Sequence, residues 1–402
     1  MPGITLQHCP KVYILETHRS KTPASTLQFI ETTRSLVGMM RFRDVTALDR
    51  IGLPVFTCDR LRPDHSKTSH TGKGVSKIQA QVSLMMEAIE RYCSEFRHEY
   101  RDRLIRGSYT GLRHHCNTLN PQELILPSFS AFRAEHDLHW VRGFDIGAQE
   151  EILVPAAAVY HPFHLDEKTP IKTHTNGLAS GNTMEEAIFH GMTEVIERDA
   201  WSIAKFNNEM NAALTVEDKP EHAFIIELIR KFEKAGVEVT ARDLTTDIGV
   251  PVIAAFSQDS VYPNLMPFDG FGAHLDPRVA MARGLLELAT TRAFFILKHG
   301  LDSLQENLPF YYSEADLEDP RFYAPEQRHL GELDHEYSAD ILEDIKTLLK
   351  KLEACGFRRT VIVDLTRPEV GIPTVRVIIP GMEVYCFDKE RKGSRLYKQT
   401  AS

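Results

Sequence analysis

The sequence predicts an α+β fold. Three observations carry that prediction. Strand and helix patterns intermix along the chain without strict βαβ alternation. A helical segment recurs 107 positions later with its key residues kept. The composition is that of an ordinary globular chain, with 42% hydrophobic and 26% charged residues among 402. A chain of this length is expected to form two or three domains of ~100–200 residues, or one large core with appendages.

The elements follow in order. Residues 24–39 carry helical spacing, and Asp44-Val-Thr-Ala-Leu leads through a turn into a strand at Ile51-Gly-Leu-Pro-Val-Phe. The stretch 60–70, rich in Arg, Pro, Asp, His and Ser, reads as a break, which sets off residues 1–70 as an N-terminal α/β lobe. Residues 77–97 form a strong helical pattern, followed by Arg-rich loop material. Residues 139–145 and 151–156 run apolar or alternate between Gly and Pro and are expected strands. A second strong helix spans 184–208, and a helix at 224–235 precedes strands at 237–243 and 250–257. The Phe-Asp-Gly-Phe-Gly-Ala-His stretch at 268–274 reads as a glycine-punctuated loop or turn. It precedes a third long helix at 276–299, entered through Asp276 as cap and Pro277 at the first helical position. Residues 71–300 are therefore expected to form the core. Residues 301–402 complete it with an acidic helix at 339–355, strands at 359–364 and 374–379, and a polar end from Lys389 onward.

Charge narrows the function. Lys and Arg number 47 against 56 Asp and Glu, a net charge of −9, so no basic footprint for nucleic acid is expected. The six cysteines are scattered without a Cys-x-x-Cys, which argues for reduced thiols rather than a zinc site or a disulfide framework. No stretch approaches the ~20 apolar residues of a membrane helix. The N-terminal segment, with Gln7, His8, Lys11 and Glu16, lacks a signal-like apolar run. A cytoplasmic protein is the expectation.

The repeat places carboxylates. Gly74, Ala80, Met85, Glu87, Ile89, Glu90 and Arg91 recur as Gly181, Ala187, Met192, Glu194, Ile196, Glu197 and Arg198, and Ala280 and Glu287 keep part of the pattern in the third helix. Residues three and four apart share a helix face. Ser83, Glu87 and Glu90 therefore line one stripe, with Arg91 at its edge. Glu186, His190, Glu194 and Glu197 line another, with Arg198 alongside. If the two helices face each other, four carboxylates converge, an arrangement that needs cations between them. Oxygen-only ligands suit Mg²⁺, which bridges carboxylates to phosphates, and the arginines would hold phosphate oxygens. Spacing alone is equally met by solvated Glu–Arg pairs on each helix taken singly.

Other motifs are excluded. A Walker A loop requires Gly and Ser/Thr where Lys67 and Gly74 stand around Gly72-Lys73. No His-Glu-x-x-His, no di-iron Glu-x-x-His pairing and no Gly-x-Ser-x-Gly elbow occurs. His114-His115 reads as surface. The segments opening at 71–77 and at Gly181-Asn182-Thr183 each begin a helix, either as plain N-caps or as anion-binding ends.

These residues resemble the YcaO family. Gly72-Lys73-Gly74 through Ser83, Glu87, Glu90 and Arg91 is similar to its first nucleotide motif. Asn176-Gly-Leu-Ala-Ser-Gly-Asn182 through Glu186, Glu194, Glu197 and Arg198 is similar to the second. Gly272-Ala-His-Leu-Asp-Pro with Glu287 and Arg292 is similar to the third, with Thr290 where many relatives carry Gln. Asp44-Val-Thr-x-Leu-Asp-Arg-x-Gly-Leu-Pro and Pro373-Thr-Val-Arg-Val-Ile-Ile-Pro-Gly-Met-Glu extend the likeness over most of the chain.

The resemblance implies a YcaO-like fold of mixed or antiparallel sheets and long helices around a site for ATP and Mg²⁺. In such a site a peptide amide oxygen is phosphorylated, a nucleophile adds to the carbonyl carbon, and phosphate leaves. It further implies Glu87, Glu90, Glu194 and Glu197 as Mg²⁺ ligands, with Glu87, Glu194 and Arg198 central to catalysis. Lys21, Lys73, Ser83, Asn182, Glu186, Arg198, Glu287 and Arg292 would attend the nucleotide. Azoline-forming members share a proline-rich C-terminus, whereas this chain ends Lys392-Gly-Ser-Arg-Leu-Tyr-Lys-Gln-Thr-Ala-Ser. The likeness is therefore to the archaeal members that install thioamides with sulfide, usually with a TfuA partner. In methanogens their implied target is a glycine in the α-subunit of methyl-coenzyme M reductase. Family likeness also implies a homodimer. The alternatives are an azoline-forming cyclodehydratase acting on Cys, Ser or Thr peptides, or a non-catalytic ATP-binding scaffold.

Overall fold

Short polar caps, prolines and positive-φ glycines decide where the elements begin and end. In the computed structural model, residues 3–62, 65–165, 171–263, 265–301, 321, 322, 324 and 326–397 are described. In chain order the elements are β1 (Tyr13–Ile14), β2 (His18–Arg19), α1 (Pro23–Ile30), β3 (Met39–Asp44), β4 (Val55–Leu61), β5 (Lys67–Lys73) and α2 (Lys77–Ser94). Then come β6 (Ile105–Ser108), α3 (Tyr109–Leu112), β7 (Asp137–Asp145), β8 (Glu150–Pro155), α4 (Ala156–Val159), β9 (Leu178–Ser180) and α5 (Met184–Asn207). The chain continues with β10 (Ala213–Thr215), α6 (Ala223–Lys234), β11 (Val237–Asp243), β12 (Val252–Asp259), β13 (Asp269–Ala273) and α7 (Pro277–His299). It ends with β14 (Gln327–His329), α8 (Ile341–Ala354), β15 (Val361–Asp364) and β16 (Thr374–Ile378). The α+β expectation holds. Helix α7 begins as the sequence predicts, with Asp276 accepting from the Arg278 amide and Pro277 behind it; the acidic helix expected over 339–355 is α8, which Asp340 caps through the Leu342 amide.

The chain divides into two units. The first holds Met1–Pro10, Ile89–Asn207 and Ala339–Ser402. Its sheet runs β6-β7-β15-β16-β9, with β8 also on β7, and every pairing in it is antiparallel. Helix α5 packs on β16 and β9, and α8 lies beside α5. Trp140 on β7 is fully buried among Leu138, Leu153 and Ile105, and its indole N–H donates to the Gly107 carbonyl at 2.9 Å, so the ring is buried without an orphaned donor.

The second unit holds Lys11–Ala88 and Asn208–Ser338. It contains the antiparallel sheet β3-β4-β5 and a five-stranded sheet, β13-β12-β11-β10-β14, in which only the β10–β14 pairing is parallel. Helix α7 packs on β13 and β12. Ile225, Leu228 and Phe232 of α6 meet Ile253 of β12 and Met281 and Leu285 of α7 in one apolar cluster, the i, i+3, i+7 face of an amphipathic helix.

Three expectations are corrected. The helical pattern at 24–39 ends as α-helix at Ile30; a short 3₁₀ turn over Glu31–Thr33 follows, and Gly38 at φ 74° redirects the chain into β3. The break at 60–70 is mostly strand, because β4 and β5 pair over Val55–Leu61 and Lys67–Lys73 as a hairpin. Its second strand is polar and buries only His70 and Gly72, so it lacks the apolar alternation by which strands are recognised. The glycine-punctuated stretch before α7 is β13, not a loop. Its Gly272 lies so close to α7 that a Cβ would stand 2.2 Å from the Ala280 carbonyl oxygen, and Gly72 of β5 meets the Ala80 carbonyl of α2 at the same 2.2 Å. In both places glycine permits a strand to touch a helix backbone.

Candidate functional site

In the first unit lie six of the sequence-predicted residues, Glu90 on α2, Asn182 where β9 turns into α5, and Glu186, Glu194, Glu197 and Arg198 along α5. Ser180, at the end of β9, donates to Glu90 through its amide at 3.0 Å and its hydroxyl at 2.8 Å. Asn182 donates to Glu186 through its amide (2.7 Å) and its side-chain nitrogen (2.9 Å), while Thr183 accepts from the Glu186 amide. The start of α5 is thus capped by its own carboxylate, which complements the helix dipole. About two and three turns on, Glu194 accepts from the Gly177 amide at 3.3 Å, and Glu197, buried, pairs with Arg198 at 3.4 Å. The Arg198 guanidinium lies 5.2 Å from the centre of the Trp201 ring, a cation–π contact. Gly177 adopts φ 75°, and a Cβ there would collide with the Val377 carbonyl at 2.2 Å.

Arg376 supports this arrangement from inside. It is fully buried and donates to the carbonyls of Val159 (3.1 Å), Asn176 (2.7 Å) and His174 (2.8 Å). Burial pulls its pKa down, Glu194 opposes that shift and Arg91 adds to it. Neither Arg376 nor Ser180 is singled out by the sequence. Both lie inside stretches quoted for their likeness, and nothing in their spacing signals a buried support.

In the second unit, His70 on β5 stands 3.3 Å from Glu87 through Nδ1 and 2.9 Å from the Thr68 hydroxyl through Nε2. Lys73 and Glu287, two expected site residues 214 positions apart, meet at 2.8 Å. Both are about a third or less exposed, at 31% and 26%. Ser83 is half-buried on α2, one turn before Glu87. Two other residues are placed differently. Lys21 lies 4.9 Å from the centre of the Phe29 ring. Arg292 is only 1% exposed and is gripped by Asp49 at 2.7 Å and Asp259 at 2.5 Å, while Thr290 donates to the Leu286 carbonyl. The Arg292 guanidinium is thus committed to a buried ion triad. A buried charge is stable only when so paired.

Carboxylate oxygens, from Glu90, Glu194 and Glu197 in the first unit and Glu87 in the second, are the donor type a hard cation takes. Among the described residues no three His, Cys, Asp or Glu side chains are arranged as a metal cage. Mg²⁺ does not require one, because it commonly takes one or two carboxylates and completes its shell with phosphate oxygens and water. The carboxylates here each have a protein donor instead: Ser180 on Glu90, Gly177 on Glu194, Arg198 on Glu197 and His70 on Glu87. Thiol chemistry is weakly supplied. Burial pushes the thiols of Cys9, Cys58, Cys93 and Cys386 up, Cys58 to about 12 and Cys93 to about 11, so these four stay protonated at neutral pH. Among the described residues, no helix is long and apolar enough to cross a membrane.

The chain is similar to several known proteins. The family model for YcaO cyclodehydratase, ATP- and Mg²⁺-binding, matches residues 71–383. An uncharacterised protein of Methanothermobacter thermautotrophicus is 39% identical over 393 residues, covering 93% of this chain and 97% of that protein. A protein from the tfuA 3′ region of Rhizobium leguminosarum bv. trifolii is 29% identical over 91% of this chain and 89% of its own length. Among solved structures, YcaO from Methanopyrus kandleri bound with AMPPCP and Mg²⁺ is similar with TM-score 0.78 and 28% identity, covering 96% of this chain and 98% of that one. A heterocyclase in complex with substrate and cofactor shares the fold at TM-score 0.81 and 23% identity, over 95% of this chain and 54% of the other.

Proposed function

This chain belongs to the YcaO family, whose enzymes activate amides with ATP, and from that premise we propose that it converts a peptide-backbone amide into a thioamide, with sulfide as nucleophile. The γ-phosphoryl group of ATP passes to the amide oxygen. Hydrosulfide then adds to the carbonyl carbon, and the former amide oxygen departs with phosphate, leaving the thioamide, ADP and phosphate. Atoms balance without an oxidant or reductant. Glu87, Glu90, Glu194 and Glu197 are assigned to Mg²⁺, which supplies charge neutralisation at the phosphates. Asn182, Glu186, Ser83 and Arg198 orient the nucleotide, and Lys73, paired with Glu287, is the cation offered to its phosphates. Lys21 is assigned a weaker, peripheral contact. Arg292, held by two carboxylates, serves the shape of its unit.

The observation that carries the sulfur reading is the relative from the tfuA 3′ region. Four of the six thiols are buried and protonated, which favours sulfur that arrives from outside. The substrate is then a protein glycine of the kind found in the methyl-coenzyme M reductase α-subunit, with a TfuA protein as partner and a homodimer acting in the cytoplasm. Azoline formation is the second reading, and the description of the family model as a cyclodehydratase favours it.

One assay separates the two. The protein is incubated with Mg·ATP and a glycine-containing peptide, with and without sulfide. Thioamidation predicts sulfide-dependent ADP release and a product in which sulfur replaces one oxygen by mass spectrometry. Loss of water from a Cys, Ser or Thr peptide without sulfide would transfer the conclusion to azoline formation. ATP binding without amide-dependent turnover would leave a scaffold role.

A further inference from the structure

The first unit contains a partly open cavity of about 40 Å³, lined in part by Asn176, the residue before Gly177. Its walls are mainly apolar, Ile171, Val195 and Val377 among them, but four polar residues also line it: Glu123, which is exposed to solvent, and His174, Asn176 and Arg391. Asn176 is 8% exposed and Arg391 3%. One atom of each, His174 Nδ1, Asn176 Oδ1 and Arg391 Nη1, is shielded from solvent and has no hydrogen-bond partner among the described residues. Neighbouring atoms of the same residues are well satisfied. Arg391 donates through Nε to the Ile125 carbonyl at 2.7 Å and through Nη2 to the Leu124 carbonyl. Arg376 donates to the backbone carbonyls of both Asn176 and His174.

The chemistry of the three atoms selects the ligand. Burial, reinforced by Arg376 and Arg391, holds the His174 imidazole well below its ordinary range, so the ring is neutral. With its proton on Nε2, His174 Nδ1 accepts. The three unpartnered atoms are then two acceptors and one N–H donor, the complement of a molecule that donates twice and accepts once. A halide would face two lone pairs, and a metal cation would face a guanidinium. The volume suffices, since a water needs roughly 10–15 Å³ on this measure and two to four polar partners.

We propose that His174, Asn176 and Arg391 hold one ordered water, and that this water makes them positioning residues for Glu194. The link is short. Gly177, next to Asn176, donates its amide to Glu194 and accepts from the Val377 amide at 2.7 Å, and Val195, next to Glu194, forms part of the cavity wall. The water fixes the Asn176 side chain, Asn176 fixes the turn, and the turn orients the carboxylate. This rests on the reading of Glu194 as a Mg²⁺ ligand. Outer partners of metal ligands commonly change metal affinity by about 10–100-fold when removed.

Two measurements test it. A high-resolution crystal structure of the wild-type protein should show one water peak within hydrogen-bond distance of His174 Nδ1, Asn176 Oδ1 and Arg391 Nη1. No peak, or anomalous signal there from bromide, would overturn the site without any variant having to fold. Binding of Mn²⁺ with ADP, read by electron paramagnetic resonance, should weaken about tenfold in Asn176→Leu and recover substantially in Asn176→Asp, which keeps an acceptor oxygen. Unchanged Mn·ADP affinity in Asn176→Leu would overturn the positioning role. Wild-type protein that binds no Mn·ADP would overturn the metal reading of Glu194 and the positioning role with it, whereas the density alone decides the water.

Discussion

Arg292 shows how much one residue's role depends on its neighbours. Family likeness assigns it to the nucleotide, yet its guanidinium is buried between Asp49 and Asp259, and Arg50 also donates to Asp259. Truncation to Ala would leave carboxylates buried without their counter-charge, a loss of about 3–5 kcal/mol. Arg292→Ala is therefore expected to lower the urea midpoint sharply. Where it still folds, it should bind Mg·ATP as the wild type does. Selective loss of nucleotide binding at unchanged stability would return the residue to the site. Asp199 and Arg395 form a comparable buried pair at 2.9–3.1 Å in the other unit, one position beyond Arg198 on α5. Such residues are named correctly by type in the sequence, but whether an arginine meets phosphate or a protein carboxylate is decided by what packs around it.

At the scale of elements, the repeat has a structural meaning beyond its glutamates. Gly72 precedes Ala80 by the same interval at which Gly272 precedes Ala280, and each glycine lets its strand touch the following helix at that alanine's carbonyl. Gly72→Ala would drive a Cβ into backbone at both Ala80 and Leu84, where no side chain can rotate away. Overpacking of this kind costs about 1–3 kcal/mol or more, so the variant should unfold at measurably lower urea. An unchanged midpoint would mean that the strand and helix can separate freely. Long amphipathic or capped helices were legible because their signals are local: the Asp276-Pro277 start of α7 and the apolar face of α6 are written within a few residues. Polar β5 and glycine-bearing β13 were not, because their strand character comes from partners, β4 in one case and β12 in the other.

At the scale of the whole molecule, the functional reading makes a thermodynamic demand. A ligand that binds only the folded state stabilises it by RT ln(1 + [L]/Kd), about 2.7 kcal/mol at a hundredfold excess over Kd. Mg·ATP should accordingly raise the melting temperature of the intact chain, and ATP with chelator should do so far less. Glu194→Gln should abolish most of the magnesium-dependent part. A shift that persists in that variant would remove Glu194 from the metal site.

The sequence by itself determined the α+β class, the order and type of the long elements, the twin Glu-x-x-Glu-Arg helices and the family to which they point, because periodicity, capping and motif spacing are properties of neighbouring residues. Only the tertiary structure decided that residues 339–402 join 89–207 in one unit. It also decided that Lys73 meets Glu287, that Arg292 lies in a buried triad, and that His174, Asn176 and Arg391 share a cavity. The reason is physical. Burial and ion pairing depend on which distant residues exclude water from a group, and that partner cannot be read from the group's own stretch of chain.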